Sequence, residues 1–465
     1  MNCEGINAKE YVEKLIERAR AAQRVAETYT QEKVDELVKA IAWAVVKEEN
    51  AKEIAKLAYE ESQLGNYESK YGKLMKKVRG ALRDIKFEKS VGIVERDEKK
   101  GIIKIAKPVG VIGAIVPCTN PEATPVIKAM FAIKGRNAVV FSPHPRTKRT
   151  NTKIVNIMRD VLKKHGAPED LLVTVENPTI EISNEVMKQC DLIIATGGNP
   201  MVKAAYSSGK PAYGVGVGNA VVVVDETADI KDAARKVMLS KTFDYATSCS
   251  SENSLVIQEK VYESFVKALE EEGGYLVNVQ EKEKLCKAVW VDGHLNPGII
   301  AQPAQRIASV AGISIPEGKK FIMVEEEGIG KDYPFSGEKL SVIVALYKYK
   351  EFSEAIGIVN SITDYQGKGH SCGIHSYNEQ HILDLSLNTK TSRVMVRQPQ
   401  CYANSGDWVN GMPFTLTLGC GTWGGNIASE NITLKHFLNT TWVAFPIEPV
   451  IPDDRELFEG VMMVD

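Results

Sequence analysis

Short, almost wholly apolar segments follow one another between residues 110 and 225, and helical patterns over 121–136 and 151–166 separate the first of them. These segments are GVIGAIVP (110–117), NAVVFSP (137–143), LLVTVE (171–176), DLIIATGG (191–198) and AVVVVD (220–225). Strands that are apolar on both faces belong in a parallel sheet covered by helices on both sides. This part of the chain predicts an α/β, doubly wound nucleotide-binding domain that includes 220–225.

The second half of the chain repeats this alternation. Apolar strands are predicted at 254–258 and 340–347, with helices at 229–241, 259–272 and 350–362. We therefore predict a nucleotide-binding unit at 1–222, a second α/β domain with catalytic residues at 223–430, and a C-terminal segment at 431–465.

Three other segments have their own patterns. Residues 8–60 have the apolar spacing of two or three amphipathic helices. Residues 85–108 contain two β-rich runs around the polar turn ERDEKKG, which predicts a hairpin. Residues 403–426, rich in Gly, Asn and Trp, are predicted to form a loop.

The composition excludes several classes of protein. The 465 residues carry a formal net charge of −2, whereas nucleic-acid-binding domains usually have a basic surplus. The N-terminus lacks the apolar core of a signal peptide, and no window approaches the roughly eighteen consecutive apolar residues of a membrane span. We expect no nucleic-acid partner and no membrane segment.

Eight cysteines, from Cys3 to Cys420, are scattered over the chain without a CxxC pair. This spacing argues against a disulfide framework or a zinc site, and a reducing cytoplasm is the simplest setting. Cys249 stands out because hydroxyl side chains surround it on a segment that connects a helix to a strand, where reactive groups usually lie. It is the candidate nucleophile, with an inert structural cysteine as the alternative.

Two further stretches are candidates for chemistry. In GKGHSCGIHS, His370 is a possible base for a thiol, or else it caps a turn. A zinc site at His370, Cys372 and His375 lacks a fourth ligand nearby, so we predict no metal. Gly197 and Gly198 precede a helix start that could hold a phosphate, although a plain strand-to-helix turn has the same signature.

Taken together, these residues resemble the aldehyde dehydrogenase superfamily, and more closely its coenzyme-A-acylating branch. The resemblance covers nearly the whole chain. It is carried by the ordered blocks KPVGVIGAIVPCTNP, IKGRNAVVFSPHP, IIATGGNPMVKAAYSSGKPAYGVGVGN, SCSSENS, GKGHSCGIHS and LTLGCGTWGGNIASENIT. It implies the aldehyde dehydrogenase fold, with the 85–108 hairpin and the tail after 435 as oligomerisation arms of a homodimer or homotetramer.

The resemblance also implies roles for particular residues. Cys249 would attack an aldehyde as a thiolate, and loss of a hydride to NADP or NAD would leave a thioacyl-enzyme. Asn120 matches the oxyanion-hole asparagine, with the Cys249 backbone N–H as second donor. Glu338 matches the glutamate that contacts the nicotinamide ribose.

The remaining cofactor contacts are predicted at the ends of two strands. Thr196, Gly197 and Gly198 are predicted to lie beside the nucleotide. The segment SPHPRTKRT would lie near the adenosine ribose, and from it we name Ser142, Pro143 and His144. Its basic residues could hold a 2′-phosphate or the 3′-phosphate of coenzyme A, or could form a solvated helix start.

One departure from hydrolytic relatives is informative. Those enzymes carry a water-activating glutamate in an E-L-G-G-K-like block, whereas the corresponding stretch here is GVGVGN (214–219). A thioacyl-enzyme without that base would wait for a stronger nucleophile, and the coenzyme A thiol fits this role in a ping-pong scheme. His370 lies in the acylating branch's histidine motif and could help to deprotonate that thiol.

Two segments bear on the aldehyde. Acylating relatives commonly have small or apolar residues before the cysteine, but this chain has DYATSC, and it has Arg397 where relatives often have asparagine. Hydroxyls and an arginine suit a small anionic aldehyde, unless Arg397 faces solvent or pairs with a carboxylate. The substrate-binding residues named on this basis are Arg397, Tyr245, Thr247, Ser248 and Ser250.

Within the branch the chain most resembles sulfoacetaldehyde and succinate-semialdehyde dehydrogenases, and sulfoacetaldehyde is favoured. Succinate semialdehyde is the runner-up, followed by acetaldehyde or butyraldehyde. A thiol acyltransferase that uses Cys249 and His370 without a nucleotide is the non-redox alternative. It would leave the GGNP turn and Glu338 unexplained.

Overall fold

The computed structural model describes residues 7–461, so Cys3 lies outside the described residues. Helices surround the sheets and cover their faces. The helices are α1 (Ala8–Ala26), α2 (Gln31–Val46), α3 (Glu48–Ser62), α4 (Tyr67–Ile85), α5 (Thr124–Lys134), α6 (Lys148–Lys164), α7 (Ile180–Gln189), α8 (Asn199–Tyr206), α9 (Ile230–Thr242), α10 (Glu259–Glu271), α11 (Val279–Val289), α12 (Ala304–Ala311), α13 (Phe352–Tyr365), α14 (Glu379–Asn388), α15 (Gln400–Ala403) and α16 (Asp454–Leu457).

The strands form two large parallel sheets, one small antiparallel sheet and an isolated two-stranded ladder. They are β1 (Gly92–Asp97), β2 (Ile102–Pro108), β3 (Val111–Val116), β4 (Ala138–Pro143), β5 (Leu172–Thr174), β6 (Leu192–Thr196), β7 (Ala212–Val215), β8 (Ala220–Val224), β9 (Glu252–Gln258), β10 (Gly274–Leu276), β11 (Trp290–Val291), β12 (His294–Leu295), β13 (Phe321–Glu325), β14 (Ile343–Tyr349), β15 (Cys372–His375), β16 (Val394–Val396) and β17 (Leu438–Ala444).

The first large sheet has the strand order β5-β4-β3-β6-β7, and all its pairings are parallel. Every residue of β3 and β4 is buried, which explains why their sequences are apolar on both faces. The predicted parallel sheet is confirmed, with β5 and β7 at its edges.

The second large sheet has the order β10-β13-β14-β9-β8-β15-β16 and is also parallel. The assignment of 220–225 to the first sheet was wrong. This segment forms β8, which pairs with β9 and β15 near the middle of the second sheet. An all-apolar strand can occupy the interior of either parallel sheet, so its sequence did not show which strands it would pair with.

The two or three amphipathic helices predicted over residues 8–60 are α1, α2 and α3, and a fourth helix, α4, was not predicted. Its lysines explain the omission, because Lys70, Lys73 and Lys77 occupy buried positions on the same face as Leu74 and Val78. Charged residues at those positions disrupt the alternation of apolar and polar residues that indicates an amphipathic helix.

The predicted hairpin is confirmed as β1 and β2, which pair antiparallel around the turn at 98–101. The strand β17 pairs antiparallel along the other side of β2, with Leu438 opposite Pro108 and Ala444 opposite Ile102. The result is a three-stranded sheet of order β1-β2-β17 that joins the hairpin to the end of the chain. Among the described helices, none has the length and apolar character needed to cross a membrane.

Asn137 connects three parts of this architecture through a fully buried amide. Its Oδ1 accepts hydrogen bonds from the backbone N–H groups of Val109 (2.6 Å) and Gly110 (3.0 Å) at the start of β3. Its Nδ2 donates to the carbonyl of Phe437 at 2.8 Å, just before β17. One side chain therefore satisfies backbone groups that belong to separate elements.

We predict that Asn137→Ala lowers the free energy of unfolding by about 2–4 kcal/mol, because it leaves several buried backbone groups unpaired. Urea unfolding followed by tryptophan fluorescence would measure the change. Asn388→Ala, at the exposed end of α14, is the matched control and is expected to change the free energy of unfolding by no more than about 0.5 kcal/mol. Equal losses for the two variants would contradict the role assigned to the Asn137 amide.

Candidate active site

The candidate site lies where one edge of the first large sheet meets one edge of the second. Parallel strands β3, β4 and β6 bring their C-terminal ends to one edge of the first sheet, where the loop with Asn120 follows β3. Cys249 and His370 precede β9 and β15, so both lie at the N-terminal edge of the second sheet. A crevice beyond the carboxyl ends of parallel strands is the usual ligand site in such folds.

The structure brings Cys249 and His370 into direct contact. The Nε2 atom of His370 lies 3.1 Å from the Cys249 Sγ, and its Nδ1 atom lies 2.8 Å from the Ser371 Oγ. His370 and Ser371 are buried. The imidazole is thus held on one side by a hydroxyl and meets the thiol on the other.

Burial keeps this pair neutral. Burial, followed by the carboxyl of Glu338, raises the pKa of the Cys249 thiol to about 12. Burial, followed by the charge of Arg393, lowers the pKa of His370 to about 3. A neutral thiol that donates to Nε2, with the Nδ1 hydrogen on Ser371, satisfies both contacts.

The backbone immediately before Cys249 is strained. Asp244, Tyr245 and Ala246 have consecutive φ values of 49°, 48° and 63°, all in the left-handed region. The left-handed conformation costs about 1–2 kcal/mol for each L-residue that adopts it. Hydrogen bonds to the Asp244 carboxylate offset this cost. The carboxylate accepts from the Asn66 N–H at 2.9 Å, from Lys70 Nζ at 3.2 Å and from Lys73 Nζ at 2.7 Å.

Asn120 is linked to this turn by a single side chain. Lys73 Nζ lies 2.7 Å from the Asn120 Oδ1 and 2.7 Å from the Asp244 Oδ2. Within residues 7–461, the Cys249 N–H donates to no protein acceptor. The Asn120 amide and this N–H are thus the groups that could receive an oxyanion.

Glycine allows the stretch 214–219 to pack directly against the nucleophile. A Cβ added at Gly218 would lie only 2.0 Å from the Cys249 carbonyl oxygen, which is far inside van der Waals contact. The carboxyl of Glu338 is the acidic group in this neighbourhood. Burial raises its pKa to about 8, although the Gly218 backbone acts in the opposite direction.

The turn after β6 fits a nucleotide phosphate. Cβ atoms added at Gly197 and Gly198 would approach only Met201 (3.6 Å) and Pro200 (3.8 Å), so the space before α8 is open. No side chain caps the N-terminus of α8, which leaves the Gly198 and Asn199 N–H groups for an anion, whereas Pro200 has no N–H and the Met201 N–H donates to the Gly198 carbonyl. Thr196 lies at the same strand end, with its hydroxyl 3.1 Å from that of Thr417.

The end of β4 lies at the same edge of the sheet. Its side chains differ in whether they are free to contact a bound ligand. The Ser142 hydroxyl is buried and pairs with Ser183 at 2.9 Å, so only its backbone remains for a ligand. Pro143 is the last residue of the strand. The exposed His144 accepts a hydrogen bond from the Arg146 N–H through Nδ1, and its Nε2 has no protein partner among the described residues.

The structure does not bring Arg397, which was predicted to bind substrate, to this site. Arg397 follows β16, at the C-terminal edge of the second sheet, whereas Cys249 lies at the N-terminal edge. Its Nη1 donates to the Ser376 carbonyl at 2.6 Å, and its guanidinium lies 4.4 Å from the centre of the Tyr377 ring. The sequence did not indicate whether Arg397 would lie at the C-terminal or the N-terminal edge of the second sheet.

The other four predicted substrate residues are in the turn that leads to Cys249 or just beyond it. The Thr247 hydroxyl is buried and donates to Asp244 at 2.8 Å. Tyr245 is half-buried and packs against the core of the second sheet. The Ser248 hydroxyl accepts from the Ser250 N–H at 3.2 Å, and the Ser250 hydroxyl is buried without a protein partner among the described residues.

Two cations at the site were not predicted. Lys73 belongs to the helix that the sequence pattern concealed, although lysines spaced by three and four residues in phase with apolar positions were a usable signal. Arg393 is buried, and its charge acts to lower the pKa of both Cys249 and His370. Its two terminal nitrogens donate to Asn431 and to the Gly419 carbonyl.

The side chains considered for zinc have other partners. His370 contacts Ser371 and Cys249, and the Cys372 thiol lies 3.4 Å from the Thr391 hydroxyl. In the part of the chain that the structure describes, the potential ligand atoms that do cluster belong to Asp225, Glu226 and His381, away from this edge.

Comparisons with known proteins agree with this geometry. The model of the aldehyde dehydrogenase family matches residues 5–285. The sulfoacetaldehyde dehydrogenase (acylating) of Bilophila wadsworthia is 48% identical, over 96% of this chain and 97% of that protein. The succinate-semialdehyde dehydrogenase (acetylating) of Clostridium kluyveri is 40% identical, over 96% and 98%. The crystal structure of an acetylating aldehyde dehydrogenase from Geobacillus thermoglucosidasius superposes with a TM-score of 0.92 at 40% identity, covering 96% of this chain and 98% of that one.

We predict that alkylation of Cys249 by iodoacetamide in the ligand-free protein is slow at pH 7. The rate should rise about tenfold per pH unit up to pH 10, because only the thiolate reacts and the raised pKa keeps it scarce. Mass spectrometry of the Cys249 peptide would follow the rate, and Cys249→Ser would show no label there. A plateau near neutral pH would instead indicate a preformed thiolate–imidazolium pair.

Proposed function

The chain belongs to the aldehyde dehydrogenase family, and we propose that it is a coenzyme-A-acylating member that converts sulfoacetaldehyde to sulfoacetyl-CoA with NAD(P). The observation that carries this proposal is the 48% identity, over nearly the full length of both chains, to a protein named for that reaction. The Cys249–His370 contact and the absence of a carboxylate from 214–219 support the same reaction type.

Cys249 and His370 perform the first step. As Sγ attacks the aldehyde carbon, Nε2 of His370 receives the thiol proton, and the forming oxyanion meets the Asn120 amide and the Cys249 N–H. The charge of Arg393 favours the thiolate at this moment. Bound nucleotide supplies the hydride acceptor, and Thr196, Gly197, Gly198 and Glu338 would hold it.

The fate of the acyl group on Cys249 follows from the surroundings. Gly218 packs against the Cys249 backbone where no carboxylate is present, and Glu338, with a pKa of about 8, is mostly protonated at neutral pH. Neither can activate water efficiently. His370 contacts Cys249, but its lowered pKa makes it too weak a base for water. The thioester therefore persists until the more acidic coenzyme A thiol, whose proton His370 can receive, takes the acyl group.

The choice of aldehyde rests on the relatives rather than on Arg397. Sulfoacetaldehyde is favoured because the acylating sulfoacetaldehyde dehydrogenase is 48% identical, against 40% for the acetylating succinate-semialdehyde dehydrogenase. The Ser250 hydroxyl, buried and free of protein partners in the described residues, supports binding of an acceptor-rich group beside Cys249. Succinate semialdehyde is the second candidate, and acetaldehyde or butyraldehyde the third.

The nucleotide is NADP or NAD. His144 and Arg146, both exposed at the end of β4, offer positive or hydrogen-bonding groups where an adenosine ribose would lie. The seven described cysteines are free thiols, which supports a reducing compartment, and we propose the cytoplasm.

A homodimer or homotetramer is the proposed assembly. The sheet β1-β2-β17 carries an exposed Trp442, and the segment that follows β17 exposes a run of large apolar side chains. Several large exposed apolar side chains close together in one segment favour burial against a second copy of the chain. The exposed residues of that segment are Phe445, Ile447, Val450, Ile451, Leu457, Phe458 and Val461.

We predict that steady-state reduction of NAD(P) by sulfoacetaldehyde requires coenzyme A, and that Cys249→Ala abolishes it. Specificity constants for sulfoacetaldehyde, succinate semialdehyde and acetaldehyde, measured with each nucleotide, would rank the candidates. Turnover without coenzyme A would contradict the acylating reaction. Acyl transfer without nucleotide binding would favour a thiol acyltransferase.

The oligomer has its own test. In light scattering coupled to size-exclusion chromatography, the wild-type protein should elute as a dimer or tetramer. The double substitution Val450→Asp and Ile451→Asp should shift it to a smaller species, because two charges cannot be buried at an apolar interface without large cost. Leu387→Asp, on the exposed face of α14, should leave the mass unchanged. A monomeric wild-type protein would contradict the proposed assembly.

A further inference from the structure

Two lysines of α4 are buried close to the nucleophile and to the Asn120 loop. Lys70 is 0% exposed and Lys73 is 3% exposed. A buried ammonium is unfavourable unless charged or polar partners surround it. Lys70 contacts Asp244 at 3.2 Å, whereas Lys73 contacts Asn120 and Asp244 at 2.7 Å each and lies 3.1 Å from Glu122.

Lys73 remains charged in this environment. Burial acts to lower its pKa, but the carboxylates of Asp244 and Glu122 outweigh burial, and the pKa lies above its ordinary value. A lysine that stays protonated can only donate hydrogen bonds.

The contact with Lys73 determines which way the Asn120 amide faces. Because an ammonium has no acceptor, the atom directed at it must be Oδ1, so the NH₂ group points away. One hydrogen of that group reaches the Thr119 hydroxyl over a long 3.3 Å contact. The other remains for a ligand.

The same ammonium holds the turn that presents Cys249. Asp244 begins the three left-handed residues, and its carboxylate also accepts from the Asn66 N–H and the Thr247 hydroxyl. A Cβ added at Gly65 would lie only 1.7 Å from the Asp244 Oδ1, so the loop between α3 and α4 packs closely against this carboxylate. The oxyanion donor and the nucleophile turn, which belong to different sheets, therefore share one cation.

We propose that Lys73 is a positioning residue for the reaction: it aims the Asn120 NH₂ group at the aldehyde oxygen and sets its position relative to Cys249. This inference rests on the proposed function, since it assigns no reaction of its own. Lys70 contacts the same carboxylate but not Asn120, and it is the natural comparison on the same helix.

A double-mutant cycle between Lys73 and Asn120 tests the proposal. Asn120→Ala should lower kcat by about 10²–10³, as is usual for loss of an oxyanion donor. Lys73→Met should lower kcat by about 10–100-fold with little change in the KM for the aldehyde, because the donor is present but misdirected. The double variant should fall below Asn120→Ala by no more than the factor that Lys70→Met costs alone, since Lys70 shares the Asp244 contact and the rest of the Lys73 effect acts through Asn120.

Lys70→Met is the matched control. It removes an equally buried lysine that binds Asp244, so its effect on kcat should multiply with that of Asn120→Ala. Arg79→Gln, on the exposed face of α4, should behave as the wild-type protein. If Lys73→Met also multiplies with Asn120→Ala, or if its loss appears in KM, the proposal is overturned.

Folding and the proposed function are checked separately. Melting temperature and circular dichroism establish that each variant is folded. If Lys73→Met does not fold, Lys73→Gln enters the cycle, and failure of both to fold would make Lys73 a structural residue and overturn the proposal. Absence of coenzyme-A-dependent activity in the wild-type and Arg79→Gln proteins would instead reject the proposed function.

Discussion

The exclusion of most water from the groups around Cys249 is the constraint on which the rest of the site depends: His370 and Glu338 are buried, and the thiol itself is only partly exposed. The same burial raises the pKa of the Cys249 thiol, raises that of Glu338 and lowers that of His370. Each shift favours a neutral form, so the ligand-free site stores no reactive thiolate. Reactivity must then develop as the aldehyde arrives, when fixed donors and the Arg393 charge stabilise the negative charge that forms.

The sequence predicted those features that local pattern determines. Continuous apolar strands are required in a doubly covered parallel sheet, and β3, β4, β6 and β9 were recognised for that reason. Cys249 was the candidate nucleophile from its hydroxyl-rich connecting segment and from motif resemblance, and His370 was a possible base for a thiol; the structure brings the two side chains into contact.

Other features depend on which elements pack together in the folded protein, and local sequence pattern could not predict them. The β8 segment was assigned to the wrong sheet because its apolar residues suit both. Arg397 was named as a substrate residue because it stands where relatives often have asparagine and its charge suits an anionic aldehyde. The strand β15 has four residues at about 3.3 Å each, and it separates the sheet edge that carries His370 from the edge that carries Arg397. Lys73 was missed because a buried lysine resembles a surface lysine until its carboxylate partners are known.

The glycines beside Cys249 have a consequence for how this enzyme could change over evolution. A Cβ at Gly214 would lie 2.9 Å from Tyr206 and Val202, and one at Gly218 would overlap the Cys249 carbonyl. A carboxylate at Gly218 would need the Cys249 backbone to move, and one at Gly214 would need the Tyr206 and Val202 side chains to move. A single substitution at either of these positions therefore adds a carboxylate only together with a rearrangement of its neighbours, which makes a one-step change from a thiol acceptor to water unfavourable at Gly214 and Gly218.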